Sequence, residues 1–88
     1  VTSNDTISLI HKTCLEIAGM LASKSEAYGD SIFNPVRVFS DASIREQILV
    51  RIDDKLSRIK RGGNDNEDTL QDLIGYLILL KISEDKQC

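Results

Sequence analysis

The sequence predicts an all-α protein: an antiparallel helical bundle in one domain over residues 1–88. Three observations carry that prediction. Leu and Ile recur at helical spacing almost throughout, Pro occurs once, and aromatic residues make up only 5% of the chain, with no Trp. A chain this short buries a thin core, so association would help it.

The first helix is expected from about Asp5 to Glu26, capped by Ser3, Asn4 or Asp5. Its apolar stripe is Ile7, Ile10, Cys14, Ile17 and Leu21, widened by Leu15, Ala18 and Ala22, which makes Cys14 a small core residue. The helix should stop at Tyr28-Gly29, where glycine supplies a positive φ. Asn34-Pro35 reads as an N-cap followed by proline at the first helical position, opening a short helix that carries Val36 and Phe39 onto the core. The next helix starts at Ser43, where Ser43-x-x-Glu46 fits a capping box, and runs to Arg61 before Gly62-Gly63. A short turn then sends the last helix back antiparallel, over about residues 67–83, with Glu67 and Asp68 favouring the dipole of its first turn. Leu70, Leu73, Ile74 and Leu77 form one apolar face of it; Tyr76, Leu79 and Ile82 lie mostly on the other. A helix apolar nearly all round is buried on both sides, so the second side predicts a homo-oligomer, a dimer or tetramer.

Charge bounds the function. Eleven basic and 14 acidic residues leave a net charge of −3, which argues against a dedicated nucleic-acid binder but not against a small anionic ligand. No apolar run reaches membrane-spanning length, and the residues from Val1 to Asp5 lack the basic region of a signal peptide. Cys14 and Cys88 match no metal or redox spacing. A cytoplasmic protein without a membrane partner is the expectation.

The densest chemistry lies in Arg51-Ile52-Asp53-Asp54-Lys55-Leu56-Ser57-Arg58. Ile48, Ile52, Leu56 and Ile59 form a stripe, and Lys55 falls at its edge, within the ridge of Arg51, Asp54, Lys55 and Arg58. A charge at the edge of a core needs a partner, a ligand or a path to solvent. Arg51, Lys55 and Arg58 are candidate phosphate ligands, arginine offering a planar fork and lysine a point charge. Asp68 and Asp72, one turn apart, are candidate Mg²⁺ or Mn²⁺ ligands that Asp54 could join. The competing reading makes Asp68 a helix-start acid and pairs Asp72 with Arg51, Lys55 or Arg58. Lys24, Tyr28, Asp30 and Ser31 gather around the first turn, where a ring could stack on a base and polar groups could meet sugar or phosphate. The blander reading is a helix stop and a turn. His11 reads as structural or surface, and Lys60-Arg61 as cations favoured at a helix C-terminus.

Taken in order, Lys24-x-x-x-Tyr28-Gly29-Asp30-Ser31, Val50-Arg51-Ile52-x-Asp54-Lys55-Leu56-x-Arg58 and Glu67-Asp68-Thr69-Leu70-x-Asp72-Leu73-x-Gly75-Tyr76 resemble the nucleotide modification-associated domain family of phage and prophage proteins. The resemblance covers roughly residues 7–82. The last two helices also look like those of the MazG-like, all-α nucleoside triphosphate pyrophosphohydrolases. The resemblance implies a MazG-like fold and a place in (deoxy)nucleotide metabolism or modification, in the host cytoplasm. It also implies Mg²⁺ held between acidic helices, with Asp54 and Asp72 in catalytic positions. Asp72 matches the aspartate of the second acidic motif. The glutamates expected on the first acidic helix fall instead at about Arg51, Ile52 and Lys55, and the one expected three residues before Asp72 is Thr69. That exchange points to phosphates held by bases where metal would have served. The alternative is a non-catalytic helical oligomer that sequesters a nucleotide signal or binds a host protein.

Overall fold

The computed structural model describes residues 3–62 and 68–86. Among them the chain is all-α, with three helices and no strand: α1 (Ser3–Ala27), α2 (Ile44–Lys60) and α3 (Thr69–Lys86). Glu67, expected in the first turn of the last helix, Gly63, expected at the stop of the helix before it, and Cys88 lie outside the described residues.

α2 and α3 form the packed pair. Ser43 caps α2 in an extended conformation, its Oγ accepting the Glu46 N–H at 3.1 Å, as the Ser43-x-x-Glu46 spacing predicts. At the other end Arg61 N–H donates to the Ser57 carbonyl, and Gly62 takes a φ of 66°. Asp68 opens α3 by accepting the Gln71 N–H on Oδ1 at 2.9 Å. Ile48 and Ile52 are buried, Ile48 to 1% exposure, which makes it the centre of the core. α3 outruns its expected end at Ser83 because that serine is satisfied within the helix: its Oγ donates to the Leu80 carbonyl at 2.7 Å. A Lys81–Asp85 pair at 3.1 Å supports the following turn.

α1 crosses this pair through its C-terminal half. The point of approach is Gly75, where an added Cβ would stand 2.9 Å from Leu21 Cδ2 and 3.5 Å from Met20 Cε. Gly75 therefore admits the side chains of α1 against the backbone of α3.

Three expectations need correction. Cys14 is exposed rather than in the core, and so are Ile7 and Ile10; of the predicted α1 stripe, Ile17 is buried and Leu21 half-buried. The stripe is genuine, but its N-terminal part extends past the helices that cover the rest. The short helix after Asn34-Pro35 does not form. Asn34 belongs instead to the preceding turn, where its N–H and its side-chain amide both donate to Asp30. Arg37 and Gln47 donate to the Ala42 carbonyl, and Ser40 Oγ accepts the Ala42 N–H. Side chain to backbone bonds of this kind compete with a helix, which β-branched Val36 and Val38 favour weakly. Val36 and Phe39 are exposed, Phe39 completely, rather than on the core. Phe33 holds the segment to the end of α3, with Lys86 Nζ 4.4 Å from its ring centre.

With so few buried side chains, Ile48 carries a large share of stability. Ile48→Ala should cost about 2–5 kcal/mol, read as a lower urea midpoint and melting temperature. A loss below about 1 kcal/mol would show that the core lies elsewhere.

Candidate functional site

The site begins with the turn that ends α1. Gly29 and Asp30 both take left-handed backbone, with φ of 63° and 58°. Aspartate tolerates that region because its carboxylate bonds locally. Asp30 does so twice, accepting Ser25 Oγ–H at 3.4 Å and Asn34 Nδ2–H at 3.2 Å. The turn leads into Ser31 and Ile32, which line a cleft together with Arg51 of α2.

The result is a cleft of 410 Å³ where all three helices meet. Lys24, Tyr28, Asp30, Ser31, Arg51, Lys55 and Asp72 all line it. Seven of the residues singled out in sequence, from three separate stretches, thus share one concavity. Its apolar walls include Tyr76, which ends the third motif, Leu79 on the same helix and Leu21, which the motifs did not disclose. The helical spacing of Leu21 with Lys24 and Tyr28 is the signal that would have found it. A smaller cleft shares Ser31, Ile32 and Arg51 with the first and is closed by Pro35 and Gln47.

At the centre, Asp72 receives two cations from two helices. Lys24 Nζ of α1 lies 3.1 Å from Oδ1, and Lys55 Nζ of α2 lies 3.6 Å from Oδ2. The side chains of Asp72 and Lys55 are 17% and 12% exposed; that of Lys24 is 51% exposed. The position of Lys55 at the edge of the apolar stripe is thereby explained: it reaches inward to a carboxylate. The hydrogen bond to Asp72 raises the Lys24 pKa above its ordinary 10.5; partial burial opposes that rise, and the Asp72 charge adds to it. Arg51 is exposed at the rim, and among the described residues no ion pair holds it.

Comparison with protein-family models, with curated proteins and with solved structures gives no match to this chain.

The remaining candidates lie outside the cleft lining. Arg58 pairs with Asp54 one turn back, Nε to Oδ2 3.5 Å. Asp68 is engaged at the start of α3. The three carboxylates considered for Mg²⁺ therefore have separate duties, and among the described residues no group of three His, Cys, Asp or Glu is placed to hold a metal. Asp72 has an ammonium group at each oxygen. This donor set does not fit a divalent cation as arranged, because coordination would require displacing two lysines from one carboxylate.

Two outcomes follow from the triad. Asp72→Asn should destabilise the fold by about 3 kcal/mol, because it removes the one carboxylate that Lys24 and Lys55 share, whereas Lys55→Met should be tolerated. Equal losses from both changes in urea titrations would refute the assignment of Asp72 as the shared counter-ion. Because the Lys24 pKa is raised in the fold, the stabilisation from its ammonium is fully present below pH 10.5 and lost as pH rises through the raised value. The stability difference between the wild type and Lys24→Met should therefore shrink above pH 10.5; a difference that persists there would show that the contact does not depend on the charge.

Proposed function

We propose that this chain is a nucleotide-binding protein of phage nucleotide metabolism or modification, with a MazG-like bundle and a ligand held by its phosphates in the three-helix cleft. One observation carries the reading. The cleft assembles three cations, Lys24, Arg51 and Lys55, against two carboxylates, Asp30 and Asp72, in a chain whose net charge is −3. A positive concavity on an acidic protein selects anions. Its mixture of apolar walls and a few convergent polar groups suits a small organic ligand.

Within this reading the three cations differ in role. Arg51 at the rim presents its fork to phosphate oxygens, while Lys55 is fixed by Asp72 and supplies positive potential from the floor. Lys24 is half-exposed, and its flexible stem lets it turn from Asp72 to a phosphate. Tyr28, exposed at the mouth, offers a ring for stacking on the base. Arg58 would act from outside, through Asp54. Binding requires no metal here, and Asp54 and Asp72 serve as counter-ions rather than catalytic groups. Mg²⁺-dependent pyrophosphohydrolysis, which the family resemblance implies, would first need Asp54, Asp68 and Asp72 released from their present partners.

The test is a thermal-shift screen of ribonucleotides, deoxyribonucleotides and cyclic nucleotides, each with Mg²⁺ and with chelator. A ligand at a hundred times its Kd should raise the melting temperature by roughly 10–20 °C in a chain of this size, in chelator as well as in Mg²⁺. Arg51→Ala should remove the shift and leave the unliganded melting temperature within about 2 °C of wild type, as expected for an exposed side chain. A shift that appears only with Mg²⁺, with release of pyrophosphate, would replace this reading with the hydrolase. No shift with any nucleotide would overturn it.

A further inference from the structure

The cleft continues past Arg51. The smaller concavity, of 220 Å³, shares Ser31, Ile32 and Arg51 with the larger, so the two meet along those residues. Their remaining walls differ. Lys24 and Tyr28, from the end of α1, line the larger; Pro35, Val36 and Gln47 line the smaller. By itself the smaller volume falls short of the roughly 300–1,000 Å³ of a complete ligand site, which makes it a side chamber of the larger one. Its wall is tied down. Gln47 Nε2 of α2 donates to the Ala42 carbonyl at 2.9 Å, and Arg37 Nη1 donates to the same oxygen at 2.6 Å, so the segment after Pro35 is held to the first turn of α2. Gln47 uses one N–H in that bond; its side-chain amide has a second N–H and a carbonyl oxygen to offer.

Charge narrows the ligand class. In the larger cleft Lys24, Arg51 and Lys55 stand against Asp30 and Asp72, which leaves an excess of one positive charge. A terminal phosphate carries about −1.5 to −2 at pH 7 and a triphosphate more, while a phosphodiester carries a single negative charge. The lining therefore balances a diester. A diester also presents two unshared oxygens to the fork of Arg51 and bears an organic group on either side. Resting on the nucleotide reading above, we propose that the site takes a dinucleotide. The phosphodiester sits at Arg51, where the chambers meet; one nucleoside enters the larger chamber beside Tyr28, and the second enters the smaller one. There Pro35 and Val36 give the second base an apolar face, and the Gln47 amide meets its polar edge. A bare sugar in that place would set its hydroxyls against proline and valine, which favours a base.

Isothermal titration in chelator tests this separately from nucleotide binding as such. The probes are homodinucleoside monophosphates, ribo and deoxy, each compared with its nucleoside monophosphate and triphosphate. The dinucleotide should bind about tenfold tighter than either, or better. Val36→Trp tests the placement. Val36 is 84% exposed, so the variant should melt within about 2 °C of wild type, while the larger side chain fills the chamber. In it the preference for the dinucleotide should fall to about twofold or less. Equal affinity for mononucleotide and dinucleotide, or a preference for the triphosphate, overturns the proposal and leaves the nucleotide reading in place. A preference that survives Val36→Trp overturns the assignment of the second chamber. Failure of every probe to bind overturns both.

Discussion

A single carboxylate joins the three helices. Asp72 belongs to α3 and receives Lys24 from α1 and Lys55 from α2. α2 and α3 also share the isoleucine core, but the approach of α1 to α3 at Gly75 is narrow. The Lys24 contact, one turn past Leu21, adds a charged tie beside that approach. Desolvating Asp72 is costly, and one lysine would balance its charge. The second lysine leaves the triad with an excess positive charge at the bottom of a cleft. The arrangement that positions α1 is thus also the one that makes the cleft attractive to anions.

The turn after α1 contributes in a different way. Its left-handed Gly29 and Asp30 end the helix and put Ser31 into the lining of the cleft that Arg51 also borders. Asp30 has its oxygens occupied by Ser25 and Asn34, so its work is to hold the turn more than to meet a ligand. The carboxylates near the cleft are thus already committed to protein partners, while Arg51 keeps an exposed fork. That asymmetry between bound acids and an available base favours an anion over a cation at the rim.

Helix identity was legible because local spacing and caps determine it: Ser43 caps α2, Gly62 ends it, and Ile48 and Ile52 are its buried residues. The convergence of Lys24, Tyr28, Arg51, Lys55 and Asp72 was partly legible, since the pairing of Lys55 with Asp72 follows from two antiparallel helices with short connections. The contact of Lys24 with Asp72 was not, because it depends on where a third helix crosses, and Gly75 fixes that point through close packing that periodicity does not encode. The segment from Asn34 to Phe39 misled for a related reason. Asn34-Pro35 carries the chemistry of a helix start, but the same asparagine serves the Asp30 turn, and a turn already formed takes precedence over a short helix that costs a nucleus. The stripe of α1 misled differently. Apolar spacing shows which face seeks cover, and it does not show whether the cover comes from the same chain.

The charged cleft and the uncovered stripe have a common origin. A bundle of three short helices has few central positions, and here Lys55 and Asp72 occupy two of them at the crossing of all three helices. Each such position carries charge in place of an isoleucine or leucine, so the apolar area that would have closed the fold around its own centre is absent there. It reappears at the periphery, on the part of α1 that runs beyond its neighbours and on the outer face of α3. A larger domain could surround a buried ionic site with further layers of side chains; this chain has none to spare. The cleft stays open on the side where Tyr28 and Arg51 meet solvent, so the central charges keep a path to water although the layers around them are thin.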